Sequence, residues 1–129
     1  MATSALALTD IDAYYGDSHV LHKVSFTLGE GRLLGLLGRN GAGKSTCMNV
    51  SVGLLPPRTG EVSVFGTPVS KLPPEQIAAL GVALVPQGRR IFRSLTVREN
   101  LAVAARKPGN GRASAWTTET VFAMFPRLE

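Results

Sequence analysis

Apolar and polar residues alternate along three short stretches of the chain, a two-residue period that is typical of half-buried β-strands. The stretches span residues 6–15, 24–28 and 61–66, and each ends at or beside a glycine. Two further runs, 32–37 and 82–85, are almost continuously apolar. Runs of that kind predict strands that are buried on both faces.

Four other segments carry helix signals. Residues 44–52 can form a helix, and a second helix is predicted over 73–80 because two prolines suit its first turn and helix formers follow them. Thr96 and Glu99 fit a capping box, which predicts a helix that runs to about residue 105. A last helix is predicted from apolar residues at i, i+3, i+4 and i+7, with Pro126 interrupting it: Val121, Met124, Phe125 and Leu128. Strands and helices together predict an α/β fold.

The loop between the run 32–37 and the first helix fits the phosphate-binding pattern G-x-x-x-x-G-K-[ST] without a mismatch. Its glycines allow a tight turn with inward N–H groups, and the helix that follows adds the positive end of its dipole. Lys44 is predicted to reach the β- and γ-phosphates, and the Ser45 hydroxyl to ligate Mg²⁺. The predicted site comprises Gly38, Arg39, Asn40, Gly41, Ala42, Gly43, Lys44, Ser45 and Thr46. The alternative is a glycine-rich turn that binds nothing.

An aromatic pair, Tyr14 and Tyr15, precedes Gly16 at the end of the first predicted strand. Such a pair can simply pack in a core or a turn. Next to a phosphate-binding loop, however, an aromatic ring can stack on a purine. We therefore predict that one of these rings contributes to a nucleotide site.

Composition excludes several classes of protein. The chain has 129 residues and is 44% hydrophobic, which fits one globular domain or a piece of one. No apolar run approaches the roughly 18 residues of a membrane span, and the N-terminus lacks the basic start of a secretory signal, so we expect a cytoplasmic protein. A single cysteine, Cys47, rules out an intrachain disulfide and is expected to pack. The net charge of +5 is spread along the chain, apart from a small cluster at Arg89, Arg90 and Arg93, and favours a solvated face over a nucleic-acid site.

Taken together, the motifs resemble the nucleotide-binding subunit of ABC transporters along the whole chain. The residues that carry this resemblance are Tyr15-Gly16, 38–46, 54–61 and Val85-Pro86-Gln87, the last of which is similar to the family's Q-loop. The amino-acid sequences of residues 85–92, 95–101 and 125–128 are similar to the corresponding segments in the ATPase subunits of importers of branched-chain amino acids and of urea. Many members of the amino-acid branch carry Glu where Gln87 stands, so this position leaves the subgroup open.

The resemblance implies a P-loop NTPase fold of the ABC ATPase type with an N-terminal β subdomain, truncated at the start of a helical subdomain. Residues 1–86 would form the P-loop core and β subdomain, and 87–129 the Q-loop and the beginning of the helical subdomain. Tyr15 would stack on adenine, 38–46 would hold the phosphates of ATP, and Gln87 would contact Mg²⁺ or the attacking water.

The same resemblance implies partners. Residues 88–105 would face an integral-membrane permease, and a second ATPase subunit, identical or a sister, would complete the transporter. The chain would then lie on the inner face of the cell membrane through the permease. Nucleic acid is not expected as a partner.

Three family elements that follow the Q-loop are missing from this sequence: the L-S-G-G-Q signature, the Asp-Glu pair after four apolar residues, and a switch histidine. The chain contains no Gly-Gly pair, and both histidines, His19 and His22, precede the P-loop. We therefore expect the N-terminal half of an ATPase, which binds ATP without turning it over. The absent strands would leave the runs 33–37 and 82–85 uncovered.

Two alternatives stay open beside an ABC ATPase subunit. The chain could be a fragment that binds nucleotide or a permease without chemistry. It could also be another P-loop NTPase, but a GTPase would carry an N-K-x-D guanine motif, and no asparagine of this chain is followed by lysine.

Overall fold

The computed structural model describes residues 4–88, 90–105 and 116–128. These residues form two compact units, Met1–Val85 and Pro86–Glu129. None of the helices within the described ranges is long and apolar enough to cross a bilayer.

The first unit is built on a four-stranded antiparallel sheet in the order β2-β1-β3-β4. Its strands are β1 (Ser4–Tyr15), β2 (Ser18–Gly29), β3 (Thr59–Val64) and β4 (Thr67–Pro68). The three alternating stretches of the sequence thus form strands, as predicted. The second strand begins six residues earlier than its strict alternation indicates, because β2 pairs with β1 almost to their connecting turn.

Strand β1 contains a bulge, and the bulge does not occur at a glycine of that strand. Between the pairs Leu8–Phe26 and Ile11–Val24, β1 uses one residue more than β2, and Asp10 takes a positive φ of 48°. Gly60 on β3 faces this bulge so closely that a Cβ atom there would lie 2.4 Å from the carbonyl oxygen of Asp10. The bulge therefore increases the local twist and requires glycine on the neighbouring strand.

Two helices cover the sheet's apolar side. Helix α1 (Lys44–Ser51) contributes Cys47 and Val50 to the core, and helix α2 (Pro74–Ala79) contributes Ile77. They join buried side chains from the sheet and the loop after β4: Leu8, Ile11, Ala13, Leu21, Val62, Val64 and Val69. Cys47 packs, as expected, and its burial raises the pKa of the thiol.

The apolar runs 32–37 and 82–85 belong to no strand of the sheet, so the prediction of two buried strands is wrong for this structure. Leu36 and Val82 pack against the core, whereas Leu33, Leu37 and Val85 are 98%, 97% and 92% exposed. A strand needs a neighbour for its amide and carbonyl groups, and the described residues supply none beside these runs. Their outward side chains are uncovered, as the sequence led us to expect.

The second unit contains α3 (Val97–Ala104), α4 (Thr118–Met124) and a 3-10 turn (Pro126–Leu128). The predicted capping box is present at the start of α3, where Glu99 N donates to Thr96 Oγ1 at 3.2 Å and Thr96 N donates to Glu99 Oε2 at 2.7 Å.

The predicted apolar face of the last helix is wrong. Phe122 is the buried residue of α4, with the Arg98 guanidinium 4.9 Å from its ring centroid, while Met124, Phe125 and Leu128 are exposed. Pro126 cannot continue the helix, so the residues at the third and fourth predicted positions leave the helical face.

Candidate nucleotide site

The glycine-rich loop runs into α1, which begins at Lys44, the residue that the pattern assigns to the phosphates. The first amides of a helix have no acceptor within it, and together with the helix dipole they favour an anion at this end. Ser45 is exposed on this first turn, whereas Thr46 is 6% exposed and packs inward. Ser45 is therefore the hydroxyl that can meet a ligand directly.

Gly43 fixes the end of the loop against the sheet. Its φ is 91°, and a Cβ atom would lie 2.8 Å from Leu21 Cδ2 and 3.5 Å from the carbonyl oxygen of Val20. Both the backbone conformation and the close approach to β2 thus require glycine here.

The Lys44 side chain folds back over the loop. Its Nζ donates to the carbonyl oxygens of Gly38 and Arg39 at 2.6 and 2.7 Å, and Ala42 N donates to the same Arg39 oxygen at 3.1 Å. An ammonium group has three donors, so one remains for a ligand while two hold the loop closed. A bound phosphate would compete with these carbonyl oxygens for the charge.

Tyr15 and Tyr14 have different neighbours, and Tyr15 is hydrogen-bonded to the helix that follows the loop. The Tyr15 hydroxyl accepts a hydrogen bond of 3.1 Å from Asn49 Nδ2 on α1, and the residue is 49% exposed. Tyr14 is stacked on His19 with ring centroids 4.2 Å apart, and the Arg58 guanidinium lies 3.9 Å from its centroid. Of the two rings in the predicted pair, Tyr15 is therefore the one available beside α1.

A residue of β2 that the sequence analysis missed also lies close to the end of the loop. Ala13 pairs with Leu21 and Tyr14 with His19, which leaves Val20 as an extra residue on β2. Its Cγ1 would lie 3.7 Å from a Cβ atom at Gly43. A bulge of this kind redirects a side chain, and no sequence pattern marks it.

Asp12 ties the three long strands together. Its Oδ2 accepts from Thr59 Oγ1 at 2.8 Å, while its Oδ1 lies 2.8 Å from His19 Nε2 and accepts from Lys23 N at 3.2 Å. The hydrogen bond from Thr59, then those from His19 and Lys23, hold the pKa of Asp12 below its usual value. The sequence analysis did not single out this carboxylate.

A divalent cation would find few protein ligands here. Within the part of the chain that the structure describes, no three side chains of His, Cys, Asp or Glu are grouped to hold a metal. Mg²⁺ bound through one hydroxyl, phosphate oxygens and water needs no such group, and Ser45 fits that role. Gln87 is exposed in the second unit, and its contact with Mg²⁺ stays a prediction.

Within residues 88–105, which are predicted to face the permease, one side chain forms a clasp of hydrogen bonds across the loop before α3. Asn100 Nδ2 donates to the carbonyl oxygens of Phe92, Leu95 and Thr96 at 3.1, 3.2 and 3.0 Å, and its Oδ1 accepts from Phe92 N at 3.0 Å. Ile91 and Phe92 stay exposed despite this clasp. Arg89, part of the predicted basic cluster, lies outside the described residues.

The family described as ABC transporter matches residues 21–128. Nod factor export ATP-binding protein I of Rhizobium meliloti (strain 1021) is 37% identical over 126 residues, which cover 98% of this chain and 35% of that protein. The branched-chain amino acid transport ATP-binding protein BraG of Pseudomonas aeruginosa is 35% identical over 124 residues, covering 96% and 53%. Autoinducer 2 import ATP-binding protein LsrA of Enterobacter sp. (strain 638) is 48% identical over 82 residues, covering 64% and 17%.

Two solved structures of ABC transporter proteins are also similar to this chain. A structure of the ATP-binding subunit of an ABC transporter superposes with a TM-score of 0.72 and 33% identity, covering 82% of this chain and 43% of that one. A bacterial Atm1-family ABC exporter with ATP bound has a TM-score of 0.71 at 23% identity, and this likeness concerns the fold alone. The chain thus spans 53% or less of the length of each relative named here.

Proposed function

The chain belongs to the ABC transporter family, and on that premise we propose that it binds ATP with Mg²⁺ as part of a transporter's ATPase subunit. The predicted P-loop ATPase fold is confirmed by the family match and the solved structure at 33% identity. The observation that carries the proposal is Lys44 at the start of α1, held over a glycine loop, with the half-exposed ring of Tyr15 hydrogen-bonded to Asn49 on the same helix.

Each residue has a separate task in this proposal. Residues 38–46 surround the phosphates with backbone N–H groups, and Lys44 contacts the β- and γ-phosphates. Ser45 ligates Mg²⁺, and Tyr15 stacks on adenine. Gln87 contacts the ion or the attacking water, because an amide can accept from a hydrated cation and donate to a phosphate oxygen.

ATP titration of the two tyrosine variants tests the base subsite. Tyr15→Ala should weaken ATP binding by about 1–3 kcal/mol, roughly 5- to 150-fold, because that is what stacking on a base contributes. Tyr14→Ala is the matched control, since its ring is occupied by His19 and Arg58. If Tyr14→Ala weakens binding and Tyr15→Ala does not, the base subsite is assigned to the wrong ring.

We also propose that this 129-residue chain binds ATP without sustained turnover. Phosphoryl transfer needs a positioned water and groups that stabilise the developing charge, and these tasks exceed what Lys44, Ser45 and Gln87 supply. Phosphate release from the purified chain under steady-state conditions measures this. Sustained release that disappears in Lys44→Ala would contradict the proposal.

The proposed partners are an integral-membrane permease and a second ATPase subunit, identical or a sister, at the inner face of the cell membrane. Exposed Ile91 and Phe92 beside Arg90 and Arg93 combine apolar anchors with arginines, a mixture common at protein interfaces. A photocrosslinker at position 92 should capture an integral-membrane protein in isolated membranes. Salt-sensitive binding of nucleic acid that is lost when these arginines are neutralised would contradict this assignment.

For the direction of transport, we propose import of branched-chain amino acids or a related small solute. The amino-acid sequence around the Q-loop supports the assignment as an importer, and BraG, at 35% identity, is a branched-chain amino acid transport protein. Export is the second candidate, because Nod factor export proteins are comparably similar at 37% identity. Cells without this chain should take up labelled leucine more slowly, whereas normal uptake with retention of a secreted product would favour export.

A further inference from the structure

Asn49 joins the two halves of the candidate site. It lies on α1, five residues after Lys44, and its Nδ2 donates to the Tyr15 hydroxyl on the β1–β2 hairpin at 3.1 Å. The two residues are 34 positions apart in the sequence, so this hydrogen bond is a tertiary contact. It connects the helix that begins at the phosphate loop to the ring proposed to face the base.

Asn49 and Tyr15 differ in how firmly the surrounding structure holds them. The Asn49 carbonyl oxygen accepts from Leu54 N at 2.9 Å and from Leu55 N at 3.3 Å, which anchors its backbone where α1 ends. Tyr15 stands at the end of β1, before Gly16 with its positive φ of 59°, and half of its surface is open to solvent. The ring is therefore the part whose freedom the hydrogen bond removes.

We propose that Asn49 is a positioning residue that fixes the Tyr15 ring for an adenine base before the nucleotide binds. Holding a side chain in its bound orientation lowers the entropy cost of binding. Asn49 itself touches neither base nor phosphate in this account. The inference rests on the proposed role of Tyr15 in nucleotide binding.

Three variants and two ligands test it in the full 129-residue chain. Tyr15→Phe keeps the ring and removes the hydroxyl, while Asn49→Ala removes the donor and introduces a better helix former. Each should weaken ATP binding roughly two- to tenfold, the cost of ordering one side chain. The double variant should bind ATP no more weakly than the weaker single variant, because both changes break the same bond. Inorganic triphosphate has no base, so its affinity for each of the three variants should equal its affinity for the wild type.

The outcomes separate the inference from the proposed function. If Tyr15→Ala binds ATP like the wild type, the proposed base subsite fails and this inference fails with it. If Tyr15→Ala binds weakly but Tyr15→Phe binds like the wild type, only the positioning role of Asn49 is overturned. Additive losses in the double variant, or an equal loss for triphosphate in Asn49→Ala, would also overturn it, because Asn49 would then act through α1. Should Asn49→Ala fail to fold, Tyr15→Phe alone decides.

Discussion

Replacing Gly43 by alanine should damage the phosphate loop in two separable ways. First, the residue sits at a φ of 91°, and a left-handed conformation costs a non-glycine residue about 1–2 kcal/mol. Second, the new methyl group would start 2.8 Å from Leu21 Cδ2, on a side chain that is 2% exposed and cannot move without disturbing the core. Overpacking of this kind costs about 1–3 kcal/mol more.

Gly41→Ala is the matched control for this variant. Gly41 also has a positive φ, 81°, but a Cβ atom there meets nothing within 4 Å, so it should pay the conformational cost alone. Urea unfolding followed by circular dichroism gives both losses, and we expect Gly43→Ala to be the less stable variant by about 1–3 kcal/mol. Equal stabilities would refute the argument that the loop is packed directly on β2. A loss confined to Gly41→Ala would refute it as well.

Two further predictions concern residues away from the loop. Because the pKa of Asp12 is held below its usual value in the folded chain, its contribution to stability should be complete above that usual value and lost as the pH falls through the folded pKa. Urea unfolding at a series of pH values should show this loss, and Asp12→Asn should flatten it; an equally steep loss in the variant would exclude Asp12 as its source. Asn100→Ala removes the side-chain amide that holds the loop before α3 and should speed amide exchange at Phe92, at a cost of about 1–2 kcal/mol. Unchanged exchange at Phe92 would show that the clasp is not what orders this loop.

Local patterns predicted the elements that local interactions form. The prolines before α2 and the Thr96–Glu99 capping box involve neighbours within a few residues, and both helices are present. The glycine–lysine pattern likewise placed the start of α1 at Lys44.

Other features depend on contacts between distant segments and left no local signal. The bulge at Asp10 is accommodated by Gly60 on another strand, and Asn49 meets Tyr15 only because the hairpin packs against α1. The runs 32–37 and 82–85 have the composition of buried strands, yet composition does not state whether a neighbouring strand is present. The last helix ends before Pro126, as the sequence indicated, so the apolar residues on either side of the proline do not share one helical face.

Nucleotide titration of Lys44→Ala tests the central claim, that the loop 38–46 is an ATP site. A charge-assisted contact is worth about 1.5–3 kcal/mol, so the variant should bind ATP roughly 10- to 150-fold more weakly than the wild type. Lys71→Ala, which removes an exposed lysine outside the loop, is the control and should bind ATP like the wild type. Equal ATP affinity for wild type and Lys44→Ala would contradict the account and remove the loop from the site.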